Sequence, residues 1–74
     1  MNDHKIRKTF GANVRKERLA AGWSQEELAA ESGLHRTYIG AIERGERNVT
    51  LLKVIQIANA VGIEAGVLLK GTQK

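Results

Sequence analysis

The sequence has no cysteine and no proline, and its aromatic residues are one tryptophan, one tyrosine and one phenylalanine. Without cysteine there is no disulfide and no thiolate-bound zinc, which fits a reducing cytoplasm and removes two aids on which very small folds rely. Two histidines, His4 and His35, and the lone aspartate Asp3 fall short of the usual zinc ligand count, so neither metal nor cofactor is expected. The same poverty argues against an enzyme: there is no Ser-His-Asp arrangement, no carboxylate pair in a pocket and no glycine-rich phosphate loop. With only Phe10, Trp23 and Tyr38, the chain lacks the row of rings on which single-stranded bases stack. No apolar run approaches the roughly 18 residues that span a bilayer. The polar, basic start MNDHKIRKTFGANVRKER has no signal-peptide core. A soluble, unprocessed cytoplasmic protein with no membrane partner is the expectation.

What is present fits one domain, residues 1–74. Chains this short bury only about 60% of their unfolded surface. With disulfides and metals set aside, self-association is the remaining source of stability. Twelve Lys and Arg against eight Asp and Glu leave a formal charge of +4, which suits a polyanionic partner once geometry supports it.

Gly22, Gly33, Gly45, Gly62 and Gly71 divide the chain into helix-length pieces. In the first piece Ile6, Phe10 and Val14 recur every four residues, and Leu19 extends the stripe one face over. Lys5, Arg7, Lys8, Arg15 and Lys16 fill the remainder, and the helix ends near Gly22. The second opens on Ser24 with Glu27 three residues later, a capping box, and buries Leu28 and Ala29 before Gly33 turns the chain. A third helix is predicted over residues 35–44, with Leu34, Ile39 and Ile42 inward and Gly45 as its stop. Thr50 caps a fourth whose apolar stripe is Leu51, Val54, Ile57, Ala58 and Val61. The fifth covers residues 63–70, with Val67, Leu68 and Leu69 apolar, and frays over 71–74. Nothing alternates with period two, so the fold class is all-α, a compact five-helix bundle.

Residues 24–45 have the layout of two helices joined by a glycine-containing turn of about three or four residues. That geometry lets one helix span the DNA backbone while the next enters the major groove. With the inner positions assigned, His35, Arg36, Thr37 and Tyr38 point outward at the start of the third helix. Every one of them can hydrogen-bond. Arginine takes the guanine O6/N7 pair bidentately, threonine offers a hydroxyl and a methyl, and tyrosine reaches a phosphate or a base edge. Gly40 and Ala41 add no bulk on the next turn.

Ser24-Gln25-Glu26-Glu27-Leu28-Ala29, Ser32-Gly33-Leu34 and Tyr38-Ile39-Gly40-Ala41-Ile42-Glu43-Arg44-Gly45 resemble the phage-repressor-like (XRE-type) helix-turn-helix family over about residues 8–70. Within it, His35-Arg36-Thr37-Tyr38-Ile39 with Ile42-Glu43-Arg44-Gly45-Glu46-Arg47-Asn48 is most similar to controller proteins of restriction-modification systems. The resemblance implies a lambda-repressor-like DNA-binding domain in which Gln25 holds a phosphate and braces the recognition helix. Arg36 and Thr37 match base-reading positions, with Tyr38 contacting backbone or base beside them. Arg47 and Asn48 match a loop lying along the phosphates, from which the arginine also reaches base edges. Arg44 and Lys53 are expected to supply sequence-independent attraction. The resemblance also makes Arg18 and Glu43 a structural ion pair tying the first helix to the end of the third.

On the fourth helix Leu52 and Ile55 are surplus to the inner stripe, and Val67 is surplus on the fifth. With Ile63 or Ala65 they would form an apolar patch, which marks an interface. A two-fold homodimer would set two reading helices about 34–36 Å apart and read a palindromic operator in double-stranded DNA. The expected protein is therefore a nucleoid-associated transcriptional regulator, activating, repressing or both. Glu26, Glu27 and Glu31 resemble the face by which phage repressors touch RNA polymerase. Two other functions share these features: a stand-alone phage or mobile-element repressor, and an antitoxin-like interaction module with secondary DNA binding. The chain has almost no tail with which to wrap a toxin, which counts against the second.

Overall fold

Short-range signals set the helix ends. The computed structural model describes residues 2–73, so Met1 and Lys74, the outermost residues of the expected domain and of its fraying tail, lie outside the described residues. Helix α1 spans Asp3–Ala20, α2 Gln25–Ser32, α3 Arg36–Glu43, α4 Leu51–Val61 and α5 Ala65–Leu68. No strand occurs among the described residues. Asn2 Oδ1 accepts from the Lys5 amide at 3.0 Å, and Thr50 Oγ1 from the Lys53 amide at 3.2 Å. At α2 the capping box closes in both directions: Glu27 N donates to Ser24 Oγ at 3.1 Å, and Ser24 N donates to Glu27 Oε1 at 2.8 Å.

The core is a cluster drawn from every helix: Phe10 and Val14, Leu28 and Ala29, Ile39 and Ile42, Val54, Ile57 and Ala58, and Leu68. Helix α1 lies against α3, α4 and α5, while α2 packs on α3 and α4. Helix α1 comes tight against α3 at Gly11, where an added Cβ would collide with the carbonyl oxygens of Ile42 and Glu43. Only a residue without a side chain lets α1 settle against the end of α3. Two side-chain amides then staple the remaining elements. Asn13 Nδ2 donates to the carbonyls of Leu68 and Lys70 at 2.9 and 2.8 Å, and Gln56 Nε2 donates to that of Ser32 at 3.0 Å.

Several expectations need correction. Leu19 does not continue the α1 stripe; it is 53% exposed, because four-residue steps from Phe10 and Val14 lead to Arg18, which is itself buried. Leu51 is 71% exposed instead of core, since the inward line of α4 runs through Val54, Ile57 and Ala58. Gly40 and Ala41 are buried, so the second turn of α3 is covered on every side and presents no open surface. Helix α3 begins one residue later than expected, with His35 as its N-cap, and α5 is a single turn of four residues.

Gly11→Ala should lower the melting temperature by more than about 8 °C, because overpacking against backbone costs about 2 kcal/mol and each kcal/mol moves a domain this small by about 4–8 °C. Gly66, whose added Cβ meets nothing within 4 Å, is the control: Gly66→Ala should leave the midpoint unchanged or raise it. Thermal denaturation followed by circular dichroism checks both.

Candidate nucleic-acid interface

Helices α2 and α3 are joined by a turn that Gly33 makes in the left-handed region at φ 75°. The Gly33 and Leu34 amides both donate to the Ala29 carbonyl, at 2.9 and 3.1 Å, which closes the end of α2 and redirects the chain. Because Ile39 and Ile42 are fully buried, the rotational phase of α3 is fixed. His35, Arg36 and Thr37 are exposed at its start, ahead of the buried turn, and Tyr38 is half-buried between the two.

Tyr38 organises the adjoining loop. The Arg47 guanidinium sits 4.9 Å from the centre of its ring and the Lys53 ammonium 5.8 Å, so one aromatic face environment gathers cations from the α3–α4 loop and from the first turn of α4. His35, Thr37, Tyr38, Arg47 and Lys53 line an open depression of about 460 Å³ beside the start of α3. Asn48 is exposed next to Arg47. Lys53 is the member that sequence reasoning placed only in the general positive field. Its position in the turn after the Thr50 cap gives no hint that it reaches a ring fifteen residues back.

A second group of side chains holds the far end of α3. Arg18 Nε donates to Glu43 Oε2 at 2.7 Å and Nη2 to Oε1 at 3.0 Å, a bidentate pair with side chains only 8% and 3% exposed. The hydrogen bond to Glu43 is the chief reason the Arg18 guanidinium holds its proton more tightly than usual. Arg18 Nη1 also donates to the Trp23 carbonyl at 2.8 Å, fixing the α1–α2 turn, where Trp23 itself packs against the core. Gln25, the first residue of α2, donates from Nε2 to Glu43 Oε1 at 3.1 Å. Its Oε1 would lie 3.4 Å from a Cβ at Gly40, so the bare helix surface there gives the glutamine its place across α3.

Arg44 is engaged within the protein. Its Nε and Nη2 donate to Glu46 Oε2 and Oε1 at 2.9 and 3.2 Å, with both side chains more than half exposed. Arg7 Nε donates to the Gly45 carbonyl at 3.4 Å, and Gly45, at φ 77°, lies against the Lys8 backbone, so α1 supports the loop that carries Arg47.

On the side chains considered for self-association, Leu52 is 75% and Ile55 38% exposed. Ile63, Ala65 and Val67 are half-buried, and Ile63 and Ala65 pack against the core. The structure adds Leu51, which shares a face with Ile55 at four-residue spacing, and Leu69, which is 45% exposed. Leu51 escaped the sequence because it fits the inward periodicity equally well. The acidic side chains Glu26, Glu27 and Glu31 are exposed on α2.

The sequence pattern of the helix-turn-helix family matches residues 14–68. The chain is 50% identical over 64 residues to the control protein C.SmaI of Serratia marcescens, covering 86% of this chain and 76% of that protein. Its fold is similar to the restriction-modification controller protein C.AhdI of Aeromonas hydrophila, with a TM-score of 0.88, 43% identity, and coverage of 92% of this chain and 99% of the other. It is also similar, with a TM-score of 0.80 and 33% identity over 90% of this chain and 88% of the other, to the controller protein C.Esp1396I, solved as a tetramer in complex with its natural 35 base-pair operator.

Glu43→Ala should lower stability by about 3–5 kcal/mol, because it strands the buried Arg18 charge. Arg36→Ala, at an exposed site without packing, should move it by less than about 0.5 kcal/mol. Equal melting temperatures for the two variants would refute the structural role of the pair.

Proposed function

The chain belongs to the helix-turn-helix family, and from that membership we propose that it is a restriction-modification controller acting as a homodimer on a palindromic DNA operator. At the coarser level it is a helix-turn-helix DNA-binding regulator of transcription of the controller type, as its relatives are. The observation that carries the finer reading is the outward row at the start of α3. Arg36 and Thr37 are free of the core in the first turn while the next turn, Ile39 to Ile42, is buried all round, and Tyr38, Arg47 and Lys53 gather beside them.

In this reading the first turn of α3 enters the major groove. Arg36 reads a guanine through O6 and N7, and Thr37 reads a neighbouring base edge, with His35 at the rim. Tyr38 meets the backbone or a base edge beside them, and Arg47 and Asn48 follow the phosphates from the loop. Gln25 reaches a phosphate from the start of α2 while its other N–H remains on Glu43. Base contacts specify and phosphate contacts fix the register, and this surface has candidates for both.

Dimerisation follows from the exposed aliphatics. Leu51, Leu52 and Ile55 crowd one side of α4, with Val67 and Leu69 contributed from α5 and the turn after it. Pairing two copies through this side, with Ile63 and Ala65 at its edge, removes apolar surface from water and spaces the reading helices one duplex turn apart, about 34–36 Å. The tetramer of C.Esp1396I on its operator supports an assembly of more than one chain on DNA. The Glu26, Glu27 and Glu31 side of α2 is the candidate contact for RNA polymerase. No helix among the described residues is long and apolar enough to cross a membrane, and we place the protein in the cytoplasm on the nucleoid.

Selection of bound duplexes from a random pool at fixed salt should return a two-fold symmetric motif. Arg36→Ala should relax one or two positions of each half-site by about 1–3 kcal/mol, whereas Arg47→Ala should weaken binding across many more sequences. A pool that returns no motif overturns the reading. Ile55→Glu should give monomers with weakened operator binding in sedimentation and titration experiments; an intact dimer would place the seam elsewhere.

A further inference from the structure

The Arg44–Glu46 pair puts an acid in the middle of a surface otherwise set up for an anionic partner. Arg44 lies beside Gln25 on the α2–α3 side: its Nη1 would be 3.2 Å from a Cβ at Gly40, the same point that lies 3.4 Å from Gln25 Oε1. On the other flank of Glu46, one residue along, Arg47 rests on Tyr38. Among the described residues, Glu46 is the acid paired with a cation of this loop. The bidentate hydrogen bond from Arg44, chiefly, and the nearby charges of Arg44 and Lys8 hold its carboxyl below the usual carboxylate range, so it stays an anion through neutral and mildly acidic conditions.

We infer that Glu46 is a brake on phosphate-driven binding: it occupies the guanidinium of Arg44, which would otherwise take a DNA phosphate alongside Gln25. This inference rests on the assignment of α3 and the start of α2 to the duplex. An exposed ion pair contributes little to folding, so stability gives no reason for this arrangement. Its effect falls on the number of phosphates the loop neutralises. Non-specific affinity is almost wholly electrostatic, and each phosphate contact steepens the dependence of log affinity on log salt by about 0.9. A loop with Arg44 engaged grips arbitrary duplex less tightly than its cation count suggests, leaving discrimination to the residues on the outward row of α3.

The test is a salt series of binding to a duplex without operator, using wild-type chain, Glu46→Gln, and Glu46→Gln combined with Arg44→Gln. Both side chains are exposed, and circular dichroism confirms that the variants fold. Glu46→Gln should bind more tightly, with a slope steeper by about 0.9, and adding Arg44→Gln should remove more than half of that gain. Glu64→Gln, the same charge change at the start of α5, should leave the slope as it is. An unchanged slope in Glu46→Gln overturns the proposal. So does a gain that survives loss of Arg44 or appears equally in Glu64→Gln, since either makes it bulk charge. Wild-type chain that shows no salt-dependent duplex binding overturns the assignment of the DNA face itself, a result distinct from failure of the brake.

Discussion

One carboxylate, that of Glu43, sets the geometry of the whole α2–α3 unit. It closes the last turn of α3, accepts from two of the three nitrogens of a buried arginine from α1, and accepts from the side-chain amide of the first residue of α2. Through Arg18 it also reaches the carbonyl of the turn between α1 and α2. A buried pair of this kind adds little net stability when whole, since desolvation offsets most of the attraction, yet its directional bonds allow few alternative arrangements. Orientation is therefore its main contribution. Ile39 and Ile42 fix the rotation of α3; Glu43 ties its last turn to α1 and to the start of α2.

The close approach at Gly11 belongs to the same constraint. Arg18 reaches Glu43 because α1 comes down on the end of α3, and α1 comes down because Gly11 has nothing to hold it off. Gly45 repeats the device at the next turn of chain, against Lys8. Packing, ion pair and loop support are consecutive results of two absent side chains.

Much of this was legible in the sequence because it rests on local chemistry. The capping box at Ser24, the cap at Thr50 and the left-handed glycines mark helix ends by rules that operate within four residues. The phase of α3 followed from two isoleucines three apart. Periodicity failed where a residue could satisfy it while pointing elsewhere: Leu51 fits the α4 stripe but projects from an end of the helix with nothing above it, and Leu19 lost the inner position to Arg18. A buried charge has no signature in an apolar pattern, and its partner lies twenty-five residues away. Resemblance to a family suggested that pair; spacing alone gave no reason for it. The stacking of Arg47 and Lys53 on Tyr38 was illegible for a similar reason, since only the folded path of the loop brings the three together.

Helices α1, α2 and α4 each begin with a side chain that accepts from an amide of the first turn, but α3 begins at His35 with no such bond. A missing cap costs about 1 kcal/mol of local helix stability. The start of α3 is therefore held by less local hydrogen bonding than its Glu43 end. If α3 meets a duplex as proposed, the residues that touch the bases are the ones least tied down by the helix's own end.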